Sequence, residues 1–179
     1  YNLTTGSIRS FRSNETGLGN DIVISSTVGK DGALWFGSFN GGLTCYKDGR
    51  FKAYRASTNG KGLVNDNVWA LKTEENGNIV IATLGGGLQL LNPQTGQFTT
   101  YTTHNSPLVS NFLSSIAFDL TGNILMGHAQ EYSILDAKTH KIRRLIRPKS
   151  HKFLSVSSIN QIFVDSRGLL WNAGSSGLQ

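Results

Sequence analysis

The sequence predicts an all-β chain of four-stranded antiparallel blades, a β-propeller or part of one. Three observations carry this. A unit of about 45 residues recurs along the chain, a period that belongs to propellers, solenoids and arrays. Each unit breaks into short β-rich runs cut by Gly, Asn and Asp, which is how tight antiparallel hairpins are written. No window of helical length carries a 3.6-residue apolar stripe, so no helix is expected.

The first unit, GLGNDIVISSTVGKDGALWFGSFNGGL, starts at Gly17. It returns as GLVNDNVWALKTEENGNIVIATLGGGL from Gly62 and as PLVSNFLSSIAFDLTGNILMGHAQEYS from Pro107. A fourth copy, FLSVSSINQIFVDSRGLLWNAGSSGLQ, starts at Phe153. Leu18, Leu63, Leu108 and Leu154 are 45, 45 and 46 residues apart, and Gly32, Gly77, Gly122 and Gly168 keep the same step.

Within the first unit, Asp21 to Val28 is an apolar run rich in β-branched residues, stopped by the turn Gly29-Lys30-Asp31-Gly32. Ala33 to Gly37 is a second strand centred on Trp35. Asn40-Gly41-Gly42 turns the chain into Leu43 to Tyr46, and Lys47-Asp48-Gly49 turns it into Phe51 to Tyr54. Four strands at this period suit a propeller blade better than a leucine-rich or helical repeat, and a parallel β-helix has shorter coils. Trp35, Val80, Leu125 and Trp171 share one blade position, and the pairs Phe51/Tyr54, Phe98/Tyr101 and Ile142/Leu145 share another. These are expected in the core between blades.

The expected blade limits are residues 17–61, 62–106 and 107–152, with 1–16 ending an earlier blade and 153–179 opening a later one. YNLTTGSIRSF matches LNPQTGQFTTY, the end of a unit. Two arrangements fit. The chain is a piece of a larger propeller, or it closes as four blades with Tyr1 to Phe11 pairing into the last.

High Gly and low Pro suit a turn-dense β domain,. No apolar run is long enough to cross a membrane as a helix,. Cys45 is the single cysteine, so no intrachain disulfide forms, and its strand position suits a packed thiol,. The net charge of +6 is uneven. Lys138, Lys141, Arg143, Arg144, Arg147, Lys149 and Lys152 crowd one stretch that has no acid. Such a stretch attracts anions, or serves as a solvated edge that resists strand addition.

Catalytic and metal patterns are missing from the sequence. No Cys/His set has zinc spacing, no Gly-rich loop has Walker or dinucleotide form, no Ser lies in GxSxG, and calcium-type Asp spacing is absent,. No metal, cofactor or catalytic residue is expected. One departure stands out. The turns FNGGL and LGGGL of the first two units become GHAQEYS, residues 127–133, in the third. The expectation is that Glu131 and Tyr132 replace two structural glycines, with His128 and Gln130 beside them. Arg147, Lys149, His151 and Lys152, on the connection to the next unit, would stand near this turn. Hydrogen-bonding groups, an aromatic platform and cations together suit a sugar or acidic ligand; simple repeat drift is the competing reading.

GLGNDIV and GLVNDNV resemble the GLSNDxV signature of two-component regulator propeller repeats. DGALWFGSFNGGLTCY and NGNIVIATLGGGLQLLNPQTGQF resemble its DxxGxLWIGTxGGGLxxxDxxTGxF continuation. The resemblance runs over essentially the whole chain, strongest in the first two units. WD-repeat propellers would repeat Gly-His and Trp-Asp pairs from blade to blade; here no Trp-Asp pair occurs and Gly-His occurs once, at Gly127-His128. The resemblance implies a seven-bladed propeller from the periplasmic sensor region of a hybrid two-component system, as in gut Bacteroides. Such proteins also carry a membrane span and a histidine kinase module. It implies a non-enzymatic sensor, homodimeric in the parent, that responds to oligosaccharides from complex glycans; an acidic sugar is the form the basic stretch would favour. Nucleic acid is not an expected partner. The competing readings are a structural propeller with the ligand bound elsewhere, and a propeller lyase, which would need His128, Glu131 and His151 to converge.

Overall fold

The strands fall where the repeat places them, and the turns between them explain why. The computed structural model describes residues 2–58, 61–129, 131–145, 159–175 and 177–178. A single helical turn, α1 (Ser13–Thr16), precedes the first sheet. The first blade holds β1 (Val23–Val28), β2 (Leu34–Ser38), β3 (Gly42–Lys47) and β4 (Arg50–Tyr54), hydrogen-bonded in that order. The second holds β5 (Val68–Thr73), β6 (Ile79–Thr83), β7 (Gly87–Leu91) and β8 (Phe98–Tyr101). The third holds β9 (Ser115–Phe118), β10 (Ile124–Gly127), β11 (Tyr132–Leu135) and β12 (Ile142–Leu145). In the fourth, β13 (Ile159–Val164), β14 (Leu170–Gly174) and β15 (Gly177–Leu178) are described. Every strand pair is antiparallel.

The core lies between blades, because strand alternation gives each blade two apolar faces. Trp35, Leu43 and Ala33 pack against Val68, Leu71, Ile79, Ile81 and Leu91. Val80, Ala82, Leu88 and Leu90 pack against Ile116, Ile124, Met126, Leu135 and Ile142. Ala117, Leu125, Tyr132 and Ile134 pack against Ile159 and Ile162. Each fully buried aliphatic side chain contributes about 1.5–3 kcal/mol, so adjacent blades hold one another in place. Cys45 is half-buried in this packing, and burial pushes its thiol up.

The Asn-Asp of the repeat motif has a structural use. Asn20 Oδ1 accepts the Ile22 N–H at 2.8 Å, and Asn65 Oδ1 accepts the Asn67 N–H at 2.7 Å. The following residue fixes the incoming connection. Asp21 Oδ1 accepts the Ser13 N–H at 2.6 Å, Asp66 Oδ1 the Ala56 N–H at 2.6 Å, and Asn111 Oδ1 the Thr103 N–H at 2.9 Å. Asp21 therefore sits in a turn, and the first strand starts at Val23.

Residues 2–12 form no strand, yet they repeat the end of a blade in detail. Asn2 Oδ1 accepts the Thr4 and Thr5 N–H groups at 2.9 Å, as Asn92 accepts those of Gln94 and Thr95 at 3.0 and 3.1 Å. Phe11 meets Phe51 edge-on with ring centres 5.2 Å apart, as Tyr54 meets Phe98 at 6.1 Å.

Candidate functional site

The turns after the second strand and the connections between blades share one rim. Gly42 N–H donates to the Asp66 carbonyl at 2.8 Å, Gly87 N–H to that of Asn111 at 2.9 Å, and Ile159 N–H to that of Ala129 at 3.1 Å. Side chains add a second tie, since Thr44, Gln89 and Ser133 accept the N–H groups of Gly19, Val64 and Val109 at 3.0, 2.9 and 3.3 Å.

That recurring tie, with the strand register, corrects the expectation for the third turn. In the first two blades Gly37 faces Leu43 and Ala82 faces Leu88. In the third, Gly127 faces Tyr132. The turn is one residue shorter, so Tyr132 takes the leucine position of Leu43 and Leu88, not a glycine position. It is only 6% exposed and lies in the core between the third and fourth blades. It offers no aromatic platform to solvent.

Glu131 does replace a glycine, that of Gly42 and Gly87. Both glycines have positive φ, +69° and +76°, and a Cβ on either would stand 2.3 or 2.2 Å from the carbonyl oxygen of Tyr54 or Tyr101. A side chain fits at Glu131 because the shorter turn closes differently, with His128 N–H donating to the Glu131 carbonyl at 2.9 Å. The Glu131 carboxylate pairs with Arg144 on β12. Both partners are about half exposed, so the pair contributes at most about 1 kcal/mol, and each neutralises the other toward a ligand.

His128 stands where the other blades have Ser38 and Thr83, and it is 1% exposed. Its Nε2 shares a hydrogen bond with Ser133 Oγ at 2.9 Å, while Nδ1 is buried without a partner at full hydrogen-bond geometry. Burial pulls its pKa down to about 4; the Phe112 backbone and the Glu131 charge oppose that shift, and Arg144 reinforces it. The ring is therefore neutral at physiological pH and contributes no cation to an anion site. Gln130, Arg147, Lys149, His151 and Lys152 lie outside the described residues.

Sequence reasoning missed the aromatic groups that the rim does expose. Phe39, in the first blade's turn, is 46% exposed, and Phe112, on the connection into the third blade, is 64% exposed. The Phe112 ring lies over the second blade's turn, 3.7 Å from where a Cβ on Gly85 would stand. Part of the signal was available: Phe112 follows Asn111, a position that the repeat fixes, and Phe39 directly precedes the Asn40-Gly41-Gly42 turn. Among the described residues no group of His, Cys, Asp and Glu is arranged to hold a metal ion. No described helix is long and apolar enough to cross a membrane.

With the blades and the rim described, solved structures provide the comparison. An extracellular domain from B. thetaiotaomicron, named for a one component system in one structure and a hybrid two component system in another, is 24% identical over 99% of this chain. The TM-scores are 0.80 and 0.78. This chain is a β-propeller in fold. It spans about a quarter of that protein's domain, 24% and 23% in the two structures. A second B. thetaiotaomicron extracellular domain, named for a hybrid two component system, matches 95% of the chain at 19% identity and TM-score 0.66, over 30% of its own length. The WD40 propeller domain of Doa1 matches 87% of the chain at 18% identity and TM-score 0.66, over 49% of its own length. No protein-family profile and no curated protein sequence matches the chain. The first two likenesses fall among the kind of protein that the repeat motif resembles.

Proposed function

We propose that this chain is part of a periplasmic, non-enzymatic sensor propeller of a hybrid two-component system, responding to oligosaccharides released from complex glycans. The observation that carries this is the propeller match over 99% of the chain to an extracellular domain named for such a system. The repeat motif supports it, since its Asn-Asp pairs hold the rim connections as described. In this reading residues 1–16 end one blade, 17–61, 62–106 and 107–152 are whole blades, and 153–179 open another, within a seven-bladed ring. The blade-end hydrogen bonding of Asn2 and the Phe11–Phe51 contact support the first of these limits. The parent would be a membrane-anchored homodimer with its kinase elsewhere, and no cofactor is needed.

An acidic sugar is the preferred ligand class, because the basic stretch from Lys138 to Lys152 contains no carboxylate. Calorimetry of acidic and neutral oligosaccharides against wild type and an Arg147→Ala, Lys152→Ala double variant tests it. The expected result is affinity on the order of micromolar for the acidic sugar, weakened by salt and by the double substitution. Equal affinity for both sugars, or no loss in the variant, removes the assignment.

The burial of His128 and Tyr132 favours a second reading, a structural propeller whose ligand binds elsewhere. The same burial, with Glu131 held by Arg144, weighs against a lyase, which would need an accessible acid and base on one face.

A further inference from the structure

The opposite rim, where the first strand of each blade turns into the second, repeats a furrow between neighbouring blades. Two of the three furrows are filled from one position. Lys30 of the first blade lays its stem against Gly77 of the second, 3.7 Å from where a Cβ would stand. Leu120 of the third lies against Gly168 of the fourth, at 3.3 Å. The equivalent residue of the second blade is Glu75. It does not reach Gly122 of the third blade, whose only neighbour within 4 Å of a built Cβ is Ala137 at 3.9 Å. The furrow between the second and third blades stays open, with a volume of about 460 Å³.

Its lining is two-natured. Phe118 and Ala137 give it an apolar floor, and Glu74, Glu75 and Asp119 stand around it. Among the described residues no Lys or Arg lines it, and none of the described ion pairs involves these three carboxylates. This is an unbalanced patch on a chain of net charge +6. Asp119 is held ionised: burial would raise its pKa, but the donors from Thr121 and Asn123 outweigh that and lower it. His140 closes the turn side of the furrow with φ +54°, where the corresponding residue of the second blade is Gly96. The side chain gained there lines the furrow.

We infer that the open furrow between the second and third blades binds a small organic cation, one that sets an ammonium group against Glu75 and Asp119 and an apolar ring face against Phe118. The volume admits one or two sugar-sized rings, and carboxylates outside every described ion pair select the ammonium form through charge-assisted hydrogen bonds,. This site is at the other end of the strands from the rim treated above. Its test therefore stands or falls independently of the acidic-sugar assignment.

The experiment is calorimetric titration of the chain with chitobiose, which carries two amines, and with its N,N′-diacetyl derivative, in buffer acid enough to protonate the amines. Chitobiose should bind with a dissociation constant on the order of 1 mM or better, and the acetylated sugar about tenfold more weakly or not at all. Glu75→Gln removes one charge at an exposed position and should weaken chitobiose several-fold. Glu75→Lys supplies the stem that fills the furrow between the first two blades and should abolish binding, while the thermal midpoint stays near wild type. Equal affinity for the two sugars, undetectable binding of chitobiose, or unchanged binding in either variant would overturn the inference.

Discussion

The second and third blades share one strand frame and part company at both ends of it. At one rim the second blade closes its turn with Thr83, whose hydroxyl accepts the Gly86 N–H and donates to the Gly87 carbonyl, both at 3.0 Å. The third closes a shorter turn with a buried imidazole and a carboxylate. At the other rim Glu75 leaves open the furrow that Leu120 closes one blade further on. The strands tolerate this because their pairing is set by the apolar faces between blades. A turn can lose a residue if the side chain that slides into the core position, here Tyr132, is itself apolar enough to fill it.

The sharpest way to break the comparison is at the matched pair Gly87 and Glu131. Gly87→Ala puts a Cβ 2.2 Å from the Tyr101 carbonyl oxygen at φ +76°. It should cost at least about 3 kcal/mol. Glu131→Ala loses only an exposed ion pair and should stay within about 1 kcal/mol. Urea denaturation midpoints read both. Similar losses would mean that the third turn keeps the longer register after all.

The second test concerns the buried ring that replaced a hydroxyl. His128 titrates near 4 in the folded chain against 6.5 for a free histidine. Between these values the unfolded chain holds a proton that the folded chain refuses, so stability falls as pH drops from 6.5 toward 4 and is full above 6.5. The loss is on the order of 3 kcal/mol at most. His128→Thr installs the residue of the second blade and should flatten this window. A slope that survives the substitution would assign the acid sensitivity to other groups.

The sequence made the frame legible and the turns only partly so. The step from Leu18 to Leu63 to Leu108 and the Asp-Gly and Asn-Gly turns report backbone needs, and those are written one residue at a time. The missing residue in the third turn left no such mark. GHAQEYS has the same length as its counterpart when aligned from the left, and only the facing of Gly127 with Tyr132 reveals the slip. Burial decided the candidate site: a histidine and a tyrosine that read as ligand groups are core residues once the turn shortens. The open furrow was illegible for another reason. It depends on where Lys30, Glu75 and Leu120 lay their side chains across the next blade, and no periodicity in one chain encodes that direction.

The smallest effect separates the two blades at the furrow rim. In the third blade Asp119 organises its turn alone. Its Oδ1 accepts the Thr121 N–H and hydroxyl at 2.8 Å and the Asn123 N–H at 2.9 Å, and its Oδ2 accepts Asn123 Nδ2 at 2.8 Å. In the second blade that work is divided, since Asn76 Oδ1 takes the Asn78 N–H at 2.9 Å and Glu74 takes only the Asn78 amide at 3.0 Å. Asp119→Ala should therefore cost about 1–2 kcal/mol, and Glu74→Ala less than about 0.5 kcal/mol. The Asp119 contribution also has a sign in pH. Its folded pKa lies below 3.8, so the stability it supplies is present above that value and disappears as pH falls through the lower one,. Equal losses in the two variants near neutral pH would show that the turns share their hydrogen bonding more evenly than these contacts imply. The two blades would then differ at this rim only in the open furrow.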